Sequence, residues 1–280
     1  MKLHSINTGT FKLDGGAMFG VVPKTLWQKV YPSDENNLCT WALRCLLIEN
    51  NEQRILIDCG IGNKQDEKFL GHYYIKNNDG FVQTLLHTGF KPDDITDVIL
   101  THLHFDHCGG AVKYNEEKTE FVPTFKNATY WLGKQQWDLA NNPNSREKAS
   151  FFKENFIPLL NAGKIKFIEK DTELFENVSV KIFNGHTAGQ VIPFVKYNNK
   201  TIVYMADLIP TSAHLPLVWV LSYDTNPLIS LSEKEIFLNE AAENNYILFF
   251  EHDIINECCT VKKTDKGVRT DKAGLLNEFL

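Results

Sequence analysis

Five short apolar segments of this chain are each followed, within three residues, by a histidine or an aspartate, and this repetition limits the fold more than any other feature. The segments "RILI", "DVIL", "VKIF", "IVYM" and "ILFF" have the length and composition of buried strands. Polar side chains at strand ends collect at one rim of a sheet, where a rigid frame can hold a site. The residues concerned are Asp58, His102, His186, Asp207 and His252.

The pattern around these segments predicts an α/β fold. Apolar runs around the turn "NNE" predict a β-hairpin over residues 40–60, and Ser232 with Glu235 forms a capping box for a late helix that ends near Glu243. We find no repeat or linker, so a single domain over residues 1–280 is expected. The other predicted elements are helices over 81–88 and 147–160 and strands over 97–100, 164–168, 178–183, 191–197 and 201–205.

The composition argues against several partners and locations. The formal charge of −6 gives no general attraction for nucleic acid or for an anionic membrane. The first residues lack the pattern of a signal peptide, and no apolar run approaches 18 residues, so we expect a cytoplasmic protein without a membrane span. We interpret the six cysteines as free thiols, and Cys108 as a small space-filling residue.

The stretch "THLHFDHCGG" has the residues and the spacing of a metal site. In an extended segment, His102 and His104 point the same way and could hold one cation. Asp106 and His107 lie past a bend that Gly109 and Gly110 permit, and they could hold a second cation. Imidazole and carboxylate together suit two divalent ions, with zinc as our first choice and iron or manganese as alternatives.

Four ligands are too few for two metal ions, and three later strand ends could supply the rest. His186, in "NGHTAGQ", would complete the site of His102 and His104. His252, in "FFEHD", would complete the site of Asp106 and His107. Asp207, in "MADLIP", would be the carboxylate that bridges the two ions.

The order H-x-H-x-D-H, G-H-T, A-D and a late strand that ends in histidine resembles the metallo-β-lactamase superfamily. Within it, the chain is similar to the quorum-quenching lactonases that open N-acyl homoserine lactones and to the methyl parathion hydrolases. The resemblance implies a four-layer αββα sandwich that carries a dinuclear metal site with the seven ligands named above. It also implies that Asp58 supports a ligand histidine without touching the metal.

In the family, a hydroxide shared by two metals opens the ring, which implies catalytic roles for Asp106 and Asp207. Many of these lactonases have a tyrosine soon after the bridging aspartate, and this chain has none there. We therefore consider His214 first and Tyr223 second as the residue that assists catalysis, with a loop histidine remote from substrate as the alternative.

Two apolar segments could wall a substrate pocket, although ordinary core packing explains them equally well. The pocket residues that we predict are Met18, Phe19, Trp27 and Trp219. The partner would be a small-molecule lactone or ester, and a homodimer would be ordinary.

Hydrolysis of organophosphate triesters or aryl esters by the same fold is the main alternative function. Thioesterases of this type carry basic C-terminal residues that we do not find, nucleases need a basic surface, and β-lactam hydrolases lack a bridging aspartate such as Asp207. A non-catalytic metal-binding or sensor protein is the remoter alternative.

Overall fold

A computed structural model describes residues 1–75 and 80–280. The chain divides into two compact units, which we describe separately. Unit 1 contains Met1–Phe11 and Leu43–Lys170, and unit 2 contains Lys12–Ala42 and Asp171–Leu280.

The described residues form a mixed α/β fold. The strands are β1 Lys2–Asp14, β2 Leu38–Asn50, β3 Gln53–Ile57, β4 Asp97–Ile99, β5 Val112–Tyr114, β6 Phe121–Pro123, β7 Thr129–Gly133, β8 Ile165–Ile168, β9 Thr172–Phe175, β10 Val178–Phe183, β11 Gln190–Tyr197, β12 Lys200–Tyr204, β13 Ile247–Phe249, β14 Cys258–Thr264 and β15 Gly267–Gly274. The helices are α1 Gly15–Phe19, α2 Lys24–Trp27, α3 Glu67–His72, α4 Gly80–His87, α5 Phe105–Cys108, α6 Lys134–Asn141, α7 Ile157–Asn161 and α8 Pro227–Asn244.

Unit 1 is built on a sheet with the strand order β1-β2-β3-β4-β7-β8. Strands β3, β4 and β7 are parallel neighbours, so their carboxyl ends lie at the same edge of the sheet. The apolar residues of β2, β3, β4 and β7 pack in one buried cluster with Phe81 and Leu85 of α4. This core fixes the edge at which the segments after β3 and β4 begin.

Unit 2 contains a sheet with the order β15-β14-β13-β12-β11-β10-β9. Strand β12 is parallel to β13 and antiparallel to β11, which in turn is antiparallel to β10. Strands β10, β12 and β13 therefore run in the same direction and end at the same edge. Helix α8 packs on this sheet, with Phe237 against Phe194 of β11.

The predicted α/β class and most of the predicted elements are confirmed. The hairpin predicted over 40–60 is the antiparallel pair β2–β3. The helix expected over 81–88 is α4, and the strand expected over 178–183 is β10. The strands expected over 97–100, 164–168, 191–197 and 201–205 are β4, β8, β11 and β12 within one residue at each end. The single domain over 1–280 stays a prediction.

The helix predicted over Glu147–Leu160 is wrong. This segment forms two 3₁₀ turns, Lys148–Ser150 and Lys153–Asn155, before the short helix α7. Pro158 cannot donate the backbone hydrogen bond that a longer helix needs, and it occupies the first turn of α7, where none is required. Phe151 and Phe152 between the turns are extended, and Phe151 is buried.

One further expectation from the sequence is corrected. The capping box at Ser232 does not begin the late helix, because α8 starts at Pro227, whose fixed φ suits the first helical position. Two short helices, α1 and α2, occupy most of the segment from Gly15 to Trp27. Helix α1 begins where a side-chain oxygen of Asp14 accepts the backbone N–H of Ala17 at 2.8 Å.

Within residues 1–75 and 80–280, no helix has both the length and the apolar character required to cross a bilayer.

The glycine pair after α5 serves a different purpose from the bend that we expected. Gly109 has ordinary helical φ and ψ. What excludes a side chain is close packing, because a Cβ at Gly109 would overlap the carbonyl oxygen of Ile61 and one at Gly110 would overlap that of Cys59. The pair thus lets the segment of α5 lie directly against the backbone that follows β3.

We predict that Gly109→Ala lowers the free energy of unfolding by about 2 kcal/mol, because two backbone segments of unit 1 must separate. Urea unfolding measures this. Gly71→Ala in α3 is the matched control, since no atom lies within 4 Å of its added Cβ. The control should be neutral or slightly stabilising, and equal effects at both positions would contradict the close-packing explanation.

Candidate metal centre

In unit 1, the parallel strands β3 and β4 bring Asp58 and Thr101 together at one sheet edge. The two oxygens of the Asp58 carboxylate accept the backbone N–H of Thr101 at 2.8 Å and its hydroxyl at 2.7 Å. Asp58 is fully buried and has a positive φ of 57°, which aspartate tolerates better than most residues. This carboxylate is the anchor for the segment that carries the histidine cluster.

The contacts of Thr101 determine which nitrogen of His102 is available to a ligand. The hydroxyl proton of Thr101 is donated to Asp58, so its oxygen accepts a hydrogen bond from Nδ1 of His102 at 3.1 Å. A neutral His102 therefore carries its proton on Nδ1 and a lone pair on Nε2. That lone pair points to Nδ1 of His104, 3.1 Å away.

The same carboxylate orients His107. Nδ1 of His107 lies 3.1 Å from Oδ2 of Asp58 and donates to it, so Nε2 carries the lone pair. Nε2 of His107 lies 3.7 Å from Oδ2 of Asp106. Asp58 thus lies behind His107, a candidate ligand, and its role as a supporting residue stays a prediction.

A second buried carboxylate stands beside His104. Nε2 of His104 lies 3.7 Å from Oε1 of Glu147, whose other oxygen accepts a hydrogen bond from the side-chain amide of Asn144 at 2.6 Å. Glu147 attracts the outer nitrogen of His104 and leaves Nδ1 directed towards His102. Two imidazole nitrogens that face each other need a proton or a cation between them.

In unit 2, strands β10, β12 and β13 lead to His186, Asp207 and His252 at one edge of the sheet. Nδ1 of His186 donates to Asp224 at 3.0 Å, and Nδ1 of His252 donates to the carbonyl oxygen of Ala42 at 2.8 Å. Both histidines therefore direct Nε2 inwards. Those two nitrogens lie 3.1 Å and 3.3 Å from the two different carboxylate oxygens of Asp207.

The electrostatics of this group favour a cation. Burial alone would lower the pKa of His186, but the carboxylates of Asp207 and Asp224 raise it to about 10. A proton on Nε2 of His186 thus occupies a position to which the carboxylate of Asp207 attracts positive charge. Ala206, directly before Asp207, has a φ of 40°, a costly conformation for a residue with a Cβ, as is common at functional sites.

The donor set in each unit fits divalent metal ions of the zinc type. Neutral imidazole nitrogens and carboxylates are their usual ligands, and a ligand histidine usually donates its other N–H to an acceptor, as His102, His107, His186 and His252 do here. Grouped by unit, the candidate ligands form one cluster of His102, His104, Asp106 and His107 in unit 1, and one of His186, Asp207 and His252 in unit 2.

His214 is fully engaged by its neighbours. Its Nε2–H donates to the carbonyl oxygen of Met18 at 2.9 Å, and its Nδ1 accepts the hydroxyl of Thr211 at 2.7 Å. Its ring stacks on Phe19 at 4.4 Å, and burial lowers its pKa to about 3. These contacts favour the alternative of a histidine that does not meet substrate.

The predicted pocket residues differ in their surroundings. Met18, Phe19 and Trp27 are buried, and Phe19 stacks on Trp27 at 5.1 Å, as ordinary core packing would have it. Trp219 is half-buried and lines a cavity of about 530 Å³. Tyr223 lies nearer the surface, with 40% of its area exposed to solvent.

Four residues around the clusters were missed by the sequence analysis. Thr101, directly before the histidine motif, was the easiest to find, because hydroxyls often orient a neighbouring ligand. Asp224 and Glu147 lie 38 and 43 residues from the histidines that they contact, and no local pattern marks them. Tyr73, whose pKa is raised by burial and by the nearby charge of Asp106, gave no signal either.

Comparison with known proteins identifies the class of this molecule. The family profile described as "Metallo-beta-lactamase superfamily" matches residues 44–252, which is most of the chain. The chain belongs to the metallo-β-lactamase superfamily, and it is a metal-dependent hydrolase that acts on ester bonds.

Individual relatives narrow the comparison. An N-acyl homoserine lactonase of Bacillus cereus is 26% identical over 270 residues, which cover 91% of this chain and 94% of that protein. A structure described as a probable metal-dependent hydrolase from Staphylococcus aureus is 32% identical to this chain, with a TM-score of 0.89. The match covers 98% of this chain and 96% of that protein. AidC, a dizinc quorum-quenching lactonase in complex with a product, shares the fold with a TM-score of 0.80 at 22% identity, covering 96% of this chain and 93% of its own.

We predict that Asp58→Asn lowers the affinity of the unit 1 cluster for zinc by about 10- to 100-fold. The substituted amide can present a donor to His107 and would no longer fix its tautomer. Competition with a chromophoric chelator measures the affinity.

Asp97→Asn is the matched control for that experiment. Asp97 is also a buried aspartate of unit 1, but its carboxylate accepts hydrogen bonds from Trp131 and Thr96, and neither of these residues belongs to the clusters. Unchanged zinc affinity in Asp58→Asn, or an equal loss in Asp97→Asn, would contradict the role of Asp58.

His214 should make unfolding sensitive to acid. The pKa of His214 is about 3 in the folded protein and about 6.5 in the unfolded chain. Its contribution to the free energy of unfolding is therefore fully present above pH 6.5 and is lost as the pH falls towards 3. At pH 5 the loss is about 2 kcal/mol. Chelator-treated His214→Phe should therefore lose about 2 kcal/mol less than the unsubstituted protein between pH 7 and pH 5.

His72→Gln is the control, since His72 is exposed. It should leave the acid sensitivity unchanged. If His214→Phe and the unsubstituted protein lose stability equally on acidification, His214 is not held neutral by its surroundings.

Proposed function

We propose that this protein is a dinuclear metal-dependent lactonase, with N-acyl homoserine lactones as its first substrate class. All seven side chains of the two clusters would serve the same pair of ions. His102, His104 and His186 would hold one ion, Asp106, His107 and His252 the other, and Asp207 would bridge them. The family profile spans all seven residues, which supports this assignment.

The observation that carries the proposal is the placement of Asp207. Its two oxygens each face the inward nitrogen of a different histidine, at 3.1 Å and 3.3 Å. The outer nitrogens of both histidines are held by acceptors, so neither ring can turn without losing a buried hydrogen bond. A carboxylate shared in this way suits a bridge between two ions better than a ligand of one.

Bound divalent ions would polarise the ester carbonyl and lower the pKa of water enough to supply a nucleophile at neutral pH. The protein must keep the histidine lone pairs directed inwards, which Asp58, Asp224 and the carbonyl of Ala42 do. The protein must also donate a hydrogen bond to the ring oxygen of the lactone, which is the leaving group. Because both nitrogens of His214 are engaged, we assign the hydrogen bond to the substrate to Tyr223, a partly exposed residue that directly precedes Asp224.

The lactone class is supported by the names of relatives that align over nearly the whole chain, which are N-acyl homoserine lactonases. Organophosphate triesters and aryl esters are the competing substrates for the same clusters. Zinc as the native metal, the cytoplasm as the location and a homodimer as the assembly stay predictions.

We expect Asp207→Asn to lower kcat on an N-acyl homoserine lactone more than about a hundredfold, which is the upper effect of removing a mere supporting residue. Substrates for the test are N-hexanoyl homoserine lactone, a paraoxon-like triester and a nitrophenyl ester, with the metal content of each sample measured. Removal of metal by a chelator should abolish turnover, and added zinc should restore it.

Asp171→Asn is the control, because Asp171 is an aspartate of unit 2 whose carboxylate accepts the backbone N–H of Ile182, a residue outside the clusters. It should leave kcat unchanged. Faster turnover of the triester than of the lactone would move the assignment to a phosphotriesterase. Two bound metal ions without turnover of any of the three would favour a non-catalytic role.

A further inference from the structure

A lysine is buried in the middle of helix α8. Lys234 is 1% exposed and is among the largest fully buried side chains of the described residues. A buried ammonium group is costly unless its donors are satisfied. Burial lowers the pKa of Lys234 to about 7, so this cost is substantial. The catalytic clusters do not use this residue.

The partners of Lys234 are two carbonyl oxygens of a single loop. Its Nζ donates to the carbonyl oxygen of Pro216 at 2.9 Å and to that of Trp219 at 2.8 Å. Both belong to the 215–222 loop, which has no helix or strand of its own. The backbone N–H of Trp219 also donates to Pro216 at 2.9 Å, so the lysine closes a turn that is already formed.

The two ends of this loop are attached to other elements of unit 2. His214, just before it, donates to the carbonyl oxygen of Met18, and the N–H of Ser222 donates to that of Ala17 at 2.9 Å. Between these attachments, Lys234 binds the loop backbone at Pro216 and Trp219, and the carboxylate of Asp224 accepts the backbone N–H of Leu221 at 3.3 Å. Lys234 thus holds the middle of the loop.

Directly after the loop, two residues contact the turn that carries His186. Asp224 accepts a hydrogen bond from Nδ1 of His186, and the backbone N–H of Thr225 donates to the carbonyl oxygen of His186 at 2.9 Å. The half-buried Trp219 packs edge-on against Phe19 at 5.8 Å, and Val218 beside it is 64% exposed. The loop therefore carries partly exposed apolar side chains and continues into the two residues that hold His186.

We propose that Lys234 is a positioning residue that fixes the 215–222 loop as an apolar wall for the acyl group of the substrate, and so sets the preference for acyl-chain length. This inference rests on the proposed lactonase function. Lys234 itself does not touch substrate, because it is buried behind the loop backbone that it binds. Its loss should weaken the contact with a long acyl chain and leave the ring-opening step intact.

The test compares Lys234→Met with the unsubstituted zinc-loaded protein. Methionine keeps the length and the apolar stem of lysine and removes all three donors. We expect faster hydrogen exchange at Trp219 and its loop neighbours, a KM for N-decanoyl homoserine lactone about tenfold higher, and a kcat within about twofold, since a charged hydrogen-bonded contact is commonly worth a factor of this order. The KM for γ-butyrolactone and the zinc content should stay unchanged.

Lys181→Met is the matched control, because Lys181 pairs with Glu240 of the same helix at 2.8 Å but does not contact the loop. It should change neither exchange in the loop nor either KM. Lys234→Gln, which is polar but too short to span both carbonyls, gives the same comparison if Lys234→Met does not fold. A KM that rises equally for the long and short substrates, or a loop that stays protected, would overturn the proposal.

Failure of the lactonase proposal has a separate signature. If the unsubstituted protein opens no lactone, that function is wrong, and hydrogen exchange still decides whether Lys234 holds the loop. If lactones are opened but chain-length preference is the same in Lys234→Met, the lactonase assignment stands and the role of Lys234 falls.

Discussion

The contact between Asp207 and two inward histidine nitrogens is the interaction on which the candidate site depends. The carboxylate faces one Nε2 with each oxygen, and the two rings are held from behind by Asp224 and by the carbonyl of Ala42. The charge of this group is what raises the pKa of His186 to about 10 despite burial. Such an arrangement is stable only with a proton or a metal ion next to the carboxylate, and strand direction places it at one sheet edge.

The unit 1 cluster follows the same principle with a different support. The buried carboxylate of Asp58 accepts hydrogen bonds from Thr101 and His107. Through Thr101 it also determines the tautomer of His102. One carboxylate therefore orients two candidate ligand nitrogens. It can do so because β3 and β4 are parallel neighbours whose carboxyl ends lie side by side.

The loop that Lys234 holds and the candidate metal ligands belong to different kinds of structure. The clusters occupy strand ends within the superfamily framework, whereas the apolar loop that Lys234 holds lies outside regular structure. His214, which the sequence suggested for catalysis, accepts the hydroxyl of Thr211 and donates to the carbonyl oxygen of Met18 in the first helix. A loop tied down by buried polar groups can vary its apolar face without disturbing the metal ligands.

The sequence by itself determined the α/β class, most strands and the candidate ligands, because alternation, apolar runs and the H-x-H-x-D-H spacing are local properties of the chain. It did not determine the breaks between Glu147 and Leu160, where Pro158 and two phenylalanines override the helical pattern. Only the tertiary structure decided that Asp224 and Glu147 support His186 and His104, that His214 is fully bonded, and that Lys234 holds a loop. Such pairings join residues far apart in the chain, and burial and strand order, which no local pattern encodes, bring them together.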